Sequence, residues 1–445
     1  MKLDAEELTR ARAAVAEVSR SVLQLRSEGR VPGTFACGFG GAALLSHYLY
    51  ESDGDPRHLA ECESVVDSLL HGASFLPHLT LYSGVVGLGW LVSHLAVRGQ
   101  ESVDLGALDS ELIDALSVKW SGHFDIVSGL AGIGLYAVER YPIQDSAAII
   151  HGVVENLGRL AVERERGVVW LSHKRFMHEW RRDDVPEEHV DYGVAHGIAG
   201  VIAFLAMLHA RGLGNSTSRR LLVGAVEFLM AQFVVDDGAY RLPSTNLTGN
   251  PRGARLAWCY NELGAAVVIL CASRSLENRQ WTEFADAALR STLGRWPGEV
   301  GVRDVGLCHG AAGASMLYAS VYQLTADAAF GVESLRWLRC ALGMYTPGTG
   351  CGGFVAKILT TKDGLTCDTA SPGFLEGAIG AALAMHTLAA GRCLAWARVL
   401  GIDSDYLASQ QGSSPPNGGV GDDHAQPYLG GEAAKGRPQT RSGRH

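Results

Sequence analysis

The chain has 445 residues, of which 47% are hydrophobic and only 19% are charged, so it can bury a large core. Its net charge of -9 argues against a nucleic-acid-binding protein, which would carry a basic stripe. The nine cysteines are scattered and odd in number, which is not a disulfide framework for a chain of this length. The N-terminus lacks the pattern of a secretory signal, and no apolar run approaches the roughly 18 residues of a membrane span. We therefore expect a cytoplasmic protein with no transmembrane segment and no nucleic-acid partner.

An amphipathic helix is predicted over residues 5–26, because apolar residues recur there at intervals of three and four. After it, a short glycine-containing step recurs seven times, at spacings of roughly 45 to 70 residues. An apolar run with the pattern of a buried helix follows each step. The seven steps are 38–41, 84–87, 129–132, 197–200, 261–264, 310–313 and 377–380.

Helices that are apolar on every side belong in the interior of a fold. Between the steps there is room for a second, outer helix, for example over 221–233 and 282–293. Seven inner helices with outer partners predict an all-α fold, an α/α toroid (double-layered barrel) of seven helical-hairpin repeats, in one domain over residues 1–409. An open solenoid is the alternative, but it needs polar end caps, and both terminal repeats are as apolar as the others.

Two segments depart from the repeat. Residues 165–190 form an insertion between the third and fourth steps, which is either a peptide-contacting segment or a surface elaboration. Residues 410–445 are rich in Gly, Ser, Pro and charge, with few large apolar residues, and predict a disordered tail.

Equivalent positions of the repeats in a toroid lie at one end of the barrel, so the residues before each step are expected to converge. Two residues before the step stand Cys259 in the fifth repeat and Cys308 in the sixth. The residues one position before the step are Cys37, Ser83, Ser128, His196, Tyr260, His309 and Glu376.

Cys259, Cys308 and His309 form a Cys2His set on neighbouring repeats. Three protein ligands with a fourth position open are the catalytic zinc pattern, whereas structural sites use four protein ligands. The three residues also precede predicted helix N-termini, where the helix dipole favours thiolate over thiol. Taken alone, each cysteine is more often a small buried hydrophobe, but the matched offsets of the three residues favour a metal site.

Three further polar residues stand at or before the steps. His196 has the same offset as His309, although taken alone it fits a hydrogen-bonded core histidine. Asp125 either caps the helix of the third repeat or orients a catalytic histidine. Arg255 either forms an ordinary ion pair or anchors a developing oxyanion.

Five motifs in the chain stand out when they are taken together. They are Trp258-Cys259-Tyr260, Cys308-His309-Gly310, Ala195-His196-Gly197, Phe124-Asp125-Ile126 and Leu375-Glu376-Gly377. With them the chain resembles the lanthionine synthetase C-like family, the cyclases of lanthipeptide biosynthesis. The resemblance runs from the first repeat to the seventh and leaves the tail outside.

The resemblance implies an α/α toroid with one zinc ion per chain and the activity of a stand-alone cyclase. By matching motif, Cys259, Cys308 and His309 are the implied ligands, and the implied catalytic residues are His196, Asp125, Arg255 and Tyr260. Asn261 stands where the family usually has glycine. Because asparagine tolerates a left-handed backbone better than other non-glycine residues, we expect the turn to survive.

The implied reaction adds a peptide cysteine thiol to a dehydroalanine or dehydrobutyrine of the same peptide. His196 is the preferred acid or base, because His309 is occupied as a ligand; Asp125 supports His196, and Arg255 with Tyr260 stabilises the enolate oxygen. The implied partners are a dehydrated precursor peptide (leader plus core), a dehydratase and a transporter, which would place the protein at the periphery of the membrane.

Three alternatives remain open from the sequence. The same chemistry would join glutathione to dehydroamino acids in proteins. A non-catalytic toroid would keep zinc for structure and bind a peptide, although it has no need of Asp125, His196 and Arg255. A zinc-thiolate transferase on an α/α barrel would alkylate a protein cysteine, but it does not account for the motifs around His196 and Glu376.

Overall fold

The computed structural model describes residues 3–29, 34–36, 38–73, 76, 78–100, 103–177, 182, 185–248, 255–359, 366–392 and 394–410. The α-helices of this part of the chain are α1 Ala5–Ser27, α2 Gly40–Asp53, α3 Pro56–Gly72, α4 Val85–Val97, α5 Gly106–Ser117, α6 Leu130–Arg140, α7 Gln144–Leu160, α8 Ile198–Ala210, α9 Ser216–Met230, α10 Asn261–Ser275, α11 Arg279–Arg290, α12 Ala311–Thr325, α13 Ala328–Gly343, α14 Ala378–Ala389 and α15 Ser404–Gln410. Among them, no helix has the length and apolarity needed to cross a membrane.

The even-numbered helices α2 to α14 form a closed inner ring. Each contacts the next along the chain, and α14 contacts α2, so the chain is an α/α toroid and not an open solenoid. The odd-numbered helices α3 to α13 each pack on the inner helix that precedes them or on their neighbours in the outer layer. The outer partner of α14 is α1, so the N-terminal helix completes the seventh pair and closes the outer layer.

Burial separates the two layers as the apolar patterns predict. Eleven of the thirteen residues of α8 are buried, whereas in α11 the buried residues are only Trp281, Ala285, Ala288 and Leu289, one stripe of an amphipathic helix. The predicted outer helices 221–233 and 282–293 begin earlier, at Ser216 and Arg279, because the side chains of Asn215 and Asn278 cap them there.

In the described residues, four two-stranded antiparallel sheets add to the predicted all-helical fold. They pair β1 Val162–Arg164 with β2 Gly167–Val169, β3 Ser172–His173 with β4 Glu188–His189, β5 Val234–Asp236 with β6 Ala239–Arg241, and β7 Ala356–Leu359 with β8 Thr366–Thr369. At two to four residues each, these strands are too short to show an alternating pattern in the sequence.

The insertion at 165–190 supplies three of these strands and a 3-10 turn, Lys174–Phe176. Its first part is core and not a surface elaboration, because Val168, Val169 and Trp170 are fully buried and the Trp170 indole donates to Leu157 O. Residues 178–181, 183 and 184 of the insertion lie outside the described residues, as do 411–445 of the predicted tail. Gln410 itself ends α15.

The segment after α14 lies near the axis of the toroid. Its 3-10 helix, Ala395–Leu400, is almost fully buried and is contacted from several repeats. The Tyr82 hydroxyl donates to Val399 O and the Trp258 indole donates to Leu400 O, both at 2.9 Å. Because Trp258 precedes Cys259 in the chain, this second hydrogen bond links the segment to the loop that carries a predicted metal ligand.

The side chain of Arg398 fixes this segment to α6 through a buried ion pair with Glu139. Arg398 and the ring of His94 together hold the pKa of Glu139 below its usual range, although burial opposes them. Replacing Arg398 with alanine leaves this carboxylate buried and poorly compensated, so we expect the free energy of unfolding to fall by about 3 kcal/mol. Urea titration measures this change in the free energy of unfolding. The matched control is Arg279→Ala on α11, whose ion pair with Glu283 is exposed and contributes less than about 1 kcal/mol.

Candidate active site

The loops that precede the inner helices are joined by backbone hydrogen bonds at one end of the barrel. The bonds link the residues two positions before each step: Tyr82 N to Val127 O, Ala36 N to Tyr82 O, Leu375 N to Ala36 O, Cys308 N to Leu375 O, Cys259 N to Cys308 O, and Ala195 N to Cys259 O. The loops therefore meet around one axis, and the backbone of Cys259 lies between those of Cys308 and Ala195.

The glycines of the steps are required by close approach of the backbone. A Cβ at Gly310 would lie 2.2 Å from Gly306 N, and one at Gly313 would lie 2.0 Å from Leu307 O. The sixth step thus packs against the loop before it without any intervening side chain. In the sixth repeat this packing fixes the loop that carries Cys308 and His309.

Asn261 stands at the first position of its step, as Gly310 does, but its backbone conformation is different. Gly310 in the next repeat is extended, with φ -104°, whereas Asn261 has φ 72°, in the left-handed region. Its side-chain amide donates to Leu242 O at 3.1 Å, which holds the residue in that conformation. The expectation that the turn tolerates asparagine is confirmed.

Substituting Gly313 with alanine tests this packing. Because the new Cβ overlaps a backbone carbonyl that cannot move aside, we expect the free energy of unfolding to fall by about 3 kcal/mol and metal binding to weaken. Gly343→Ala at the end of α13 is the control, since no atom lies within 4 Å of its Cβ position and its stability should stay equal or rise slightly. Thermal unfolding of both variants beside the unsubstituted chain measures the difference; equal losses would contradict the packing argument.

The structure brings Cys259, Cys308 and His309 together. One ligand atom of each lies within 4.8 Å of the other two, and no other such group occurs among the residues that the structure describes. Tetrahedral zinc ligands at the usual bond lengths lie roughly 3.5–3.8 Å apart, so small side-chain rotations suffice to meet that geometry. Two sulfurs and one imidazole are a donor set that suits zinc.

The two thiols and the imidazole share protons. The Cys308 thiol and the His309 ring hold the pKa of Cys259 well below that of an ordinary thiol, while the negative charge on Cys259, with burial, raises that of Cys308. Contact with Cys259 raises the pKa of His309 although burial opposes it. The surroundings therefore favour a thiolate on one cysteine beside a thiol on the other, and a bound cation would favour the second thiolate as well.

Two carboxylates flank the ring of His309. Asp304 Oδ2 lies 3.8 Å from Nε2, and Glu376 Oε1 lies 3.9 Å from Nδ1. A metal-binding histidine usually has a carboxylate at its other ring nitrogen, which fixes its tautomer. Whichever nitrogen binds a metal, the other one here faces a carboxylate.

The second half of the site is a pair formed by His196 and Asp125. His196 Nδ1 lies 2.8 Å from Asp125 Oδ2, and Asp125 Oδ1 accepts from Ser128 N at 2.7 Å. Of the two roles that the sequence left open, Asp125 holds a histidine. It does not cap α6, because Ser128 precedes that helix and the N-cap residue, Gly129, has no side-chain cap. Its side chain is 1% exposed and that of His196 is 46% exposed, so His196 Nε2 is left for a substrate.

The surroundings of His196 favour its protonated form. The His196 ring is about half exposed, and its partial loss of solvent acts to lower its pKa. The hydrogen bond and charge of Asp125, together with the charge of Asp191, nevertheless raise that pKa to about 9. His196 therefore carries a proton at neutral pH and is equipped to act as an acid.

Tyr260 and Arg255 complete the predicted set. The Tyr260 hydroxyl donates to Asp191 Oδ2 at 2.9 Å, and its ring lies 6.5 Å from that of His196. Burial raises the pKa of Asp191 to about 6. Arg255 is half-buried, and its positive charge acts on both Cys259 and Cys308. Of the residues one position before the steps, Cys37 lies outside the described residues.

A family model described as lanthionine synthetase C-like protein matches residues 30–400. The chain belongs to this family.

The relatives of this lanthionine synthetase C-like chain are named for different activities. It is 25% identical over 309 residues to the nisin biosynthesis protein NisC of Lactococcus lactis subsp. lactis, covering 63% of this chain and 71% of that one. It is also 25% identical over 302 residues to the glutathione S-transferase LANCL1 of Danio rerio, covering 65% and 70%. The solved structure of nisin cyclase superposes with a TM-score of 0.72 at 20% identity, over 88% of this chain and 98% of that one.

Three residues that lie in this site were not predicted from the sequence. His123, Asp191 and Asp304 each stand six positions before their step, the offset at which only Arg255 was noted. The backbone carbonyl at this offset accepts a hydrogen bond from the first amide of the inner helix, as Asp304 O does from Ala311 N. Reading that offset across all repeats would have found them.

Proposed function

We propose that this protein is a zinc-dependent lanthipeptide cyclase. It adds cysteine thiolates of a dehydrated precursor peptide to dehydroalanine or dehydrobutyrine, by a Michael-type addition that forms lanthionine or methyllanthionine rings. The observation that carries the proposal is the juxtaposition of a Cys2His cluster with a histidine oriented by a buried carboxylate at the same end of the barrel.

Cys259, Cys308 and His309 would hold the zinc ion. Zinc bound there would favour the thiolate form of a substrate thiol at neutral pH, where a free thiol with a pKa near 8.5 is mostly protonated. Three protein donors are the set typical of catalytic zinc sites. Arg255 offsets the negative charge that two protein thiolates bring to the site.

His196 holds the proton that ends the reaction. Attack of a sulfur on the β-carbon leaves negative charge on the α-carbon and its carbonyl oxygen, and His196 Nε2 delivers a proton to that carbon. Asp125 fixes the ring through Nδ1 and stabilises the imidazolium. The proton that the substrate thiol loses restores His196, so no proton is gained or lost overall.

Arg255 is assigned to the developing enolate oxygen, because it is a permanently charged donor beside the cluster. The hydroxyl proton of Tyr260 is already donated to Asp191. Tyr260 therefore positions the side of the site next to His196, and its share in stabilising the oxygen is smaller than that of Arg255. The partners of the reaction remain a precursor peptide, a dehydratase and a transporter.

Addition of glutathione to dehydroamino acids is the second candidate, favoured by the similarity to a glutathione S-transferase. One assay separates the two functions. A dehydrated, cysteine-containing peptide is incubated with the protein and glutathione, and free thiols are then alkylated. Loss of peptide thiol without change in mass marks ring closure, whereas a mass gain of one glutathione marks transfer. The cyclase proposal fails if only the adduct, or neither product, forms.

A further inference from the structure

A cavity of about 230 Å³ lies beside the pair of His196 and Asp125. Neither that pair nor the Cys2His cluster lines it. One wall is the loop 119–124, which leads into the third step. The other walls are the end of α7 and the insertion, from Trp170 to Phe176, with Glu188 on β4. All of these elements belong to the described part of the chain.

The lining of this cavity is positively charged on a protein whose net charge is -9. Lys119, Arg159 and Arg175 are exposed at its edge. Glu188 is the acidic residue of the lining, and it lies 3.4 Å from the ring of His173. The local charge thus opposes that of the whole protein and favours an anionic occupant.

The inner surface of the cavity is aromatic. Trp120 and Phe176 are partly buried, and Trp170 behind them is fully buried. The indole of Trp120 donates to His123 O at 2.7 Å and that of Trp170 donates to Leu157 O at 2.9 Å, so neither N–H requires a partner from the cavity. Pockets for whole small-molecule ligands usually measure about 300–1,000 Å³, so this smaller space suits a side chain of a longer ligand.

His123 forms the boundary between the cavity and the catalytic pair. Its ring lies 4.0 Å from that of Phe176 in the insertion, and its Nδ1 lies 3.7 Å from Asp125 Oδ2, the oxygen that also accepts from His196. A group in the cavity is therefore one side chain away from His196, close enough to belong to a peptide whose neighbouring residues are reacting.

We propose that this cavity binds an acidic side chain, Asp or Glu, of the substrate peptide close to the residues that form the ring. The apolar stem of the side chain lies against Trp120 and Phe176, and its carboxylate meets Lys119, Arg159 and Arg175. The inference rests on the proposed function for its ligand, but its test does not depend on ring closure.

The test measures binding of unreactive peptides to the full-length protein by fluorescence anisotropy. The peptides carry alanine in place of the dehydroamino acid, and their spacer residues are either all Glu or all Gln. We expect the Glu peptide to bind about fivefold more tightly, since several partly exposed ion pairs each contribute little, and the difference to shrink in 0.5 M salt. A second pair of peptides, with a C-terminal acid or amide, tests the other source of a carboxylate.

The variant is the double substitution Lys119→Glu and Arg159→Glu. Its control is Arg12→Glu with Arg219→Glu, which changes the net charge equally at exposed positions of α1 and α9. The control should keep the preference for the Glu peptide, and the cavity variant should lose or reverse it. Both should unfold at the same temperature as the original chain, because all four side chains are exposed.

Equal binding of the Glu and Gln peptides, a preference that survives in the cavity variant, or no measurable binding of any peptide would each overturn the proposal. A preference only for the C-terminal acid would also overturn it and would assign the cavity to a peptide terminus. Ring closure is assayed separately with the dehydrated peptides. A protein that binds selectively but never closes a ring would contradict the cyclase proposal alone.

Discussion

Replacing Cys308 with alanine is expected to abolish ring closure and bound zinc together. The substitution leaves one thiol and one imidazole, too few protein ligands to retain the ion firmly. Losing a group that merely supports a ligand costs about 10- to 100-fold in metal affinity, so losing a ligand should cost more. Metal analysis of the purified variant, beside the thiol-alkylation assay on a dehydrated peptide, measures both effects.

Cys271→Ala is the control for this experiment. Cys271 is also a buried free thiol, but it lies within α10, and burial raises its pKa to about 12. That variant should keep one zinc ion per chain and the original rate of ring closure. A Cys308→Ala protein that closes rings at the original rate would show that the cluster is not the site of activation.

Asp125→Asn should lower the rate of ring closure by about 10²- to 10⁴-fold, the usual contribution of a positioned acid or base. Asparagine keeps the size of the side chain but removes the charge that stabilises protonated His196. The double variant with His196→Gln should be no slower than the worse single variant, because the two residues act as a unit. Losses that multiply would contradict the pairing.

The pH dependence gives the same pair a second test. The pKa of His196 is raised to about 9, so the acid form is present at neutral pH and is lost as the pH rises through about 9. In Asp125→Asn the pKa of His196 falls, and the alkaline limb of the rate profile should move to lower pH. A bound divalent cation lowers the pKa in both proteins, so the shift between the two profiles is the quantity to measure. Identical alkaline limbs would exclude His196 as the proton donor.

The inner helices and the fold class were predictable because each repeat has a strong local pattern. A glycine step followed by an apolar run marks α8 and α12 without any knowledge of distant contacts. Cys259 and Cys308 both stand two positions before their steps, so a closed ring of repeats predicts that their side chains lie close together. Local pattern and global symmetry agree in this part of the chain.

Other features depend on contacts between distant parts of the sequence. Nothing in residues 5–26 indicates that α1 packs on α14, and nothing local to Arg398 indicates its ion pair with Glu139. The hydrogen bond from the Tyr260 hydroxyl to Asp191 joins side chains of two different repeats. Such contacts are set by how the ring closes, which no single segment of the sequence encodes.

We propose that Cys259, Cys308 and His309 bind one zinc ion and that the peptide supplies a further sulfur ligand. Zinc X-ray absorption spectroscopy, with and without a cysteine-containing peptide that lacks a dehydroamino acid, counts the sulfur ligands. We expect two sulfur neighbours of zinc in the protein alone and three after the peptide is added. A sulfur count that stays at two with saturating peptide, or a protein that takes up no zinc, would contradict it.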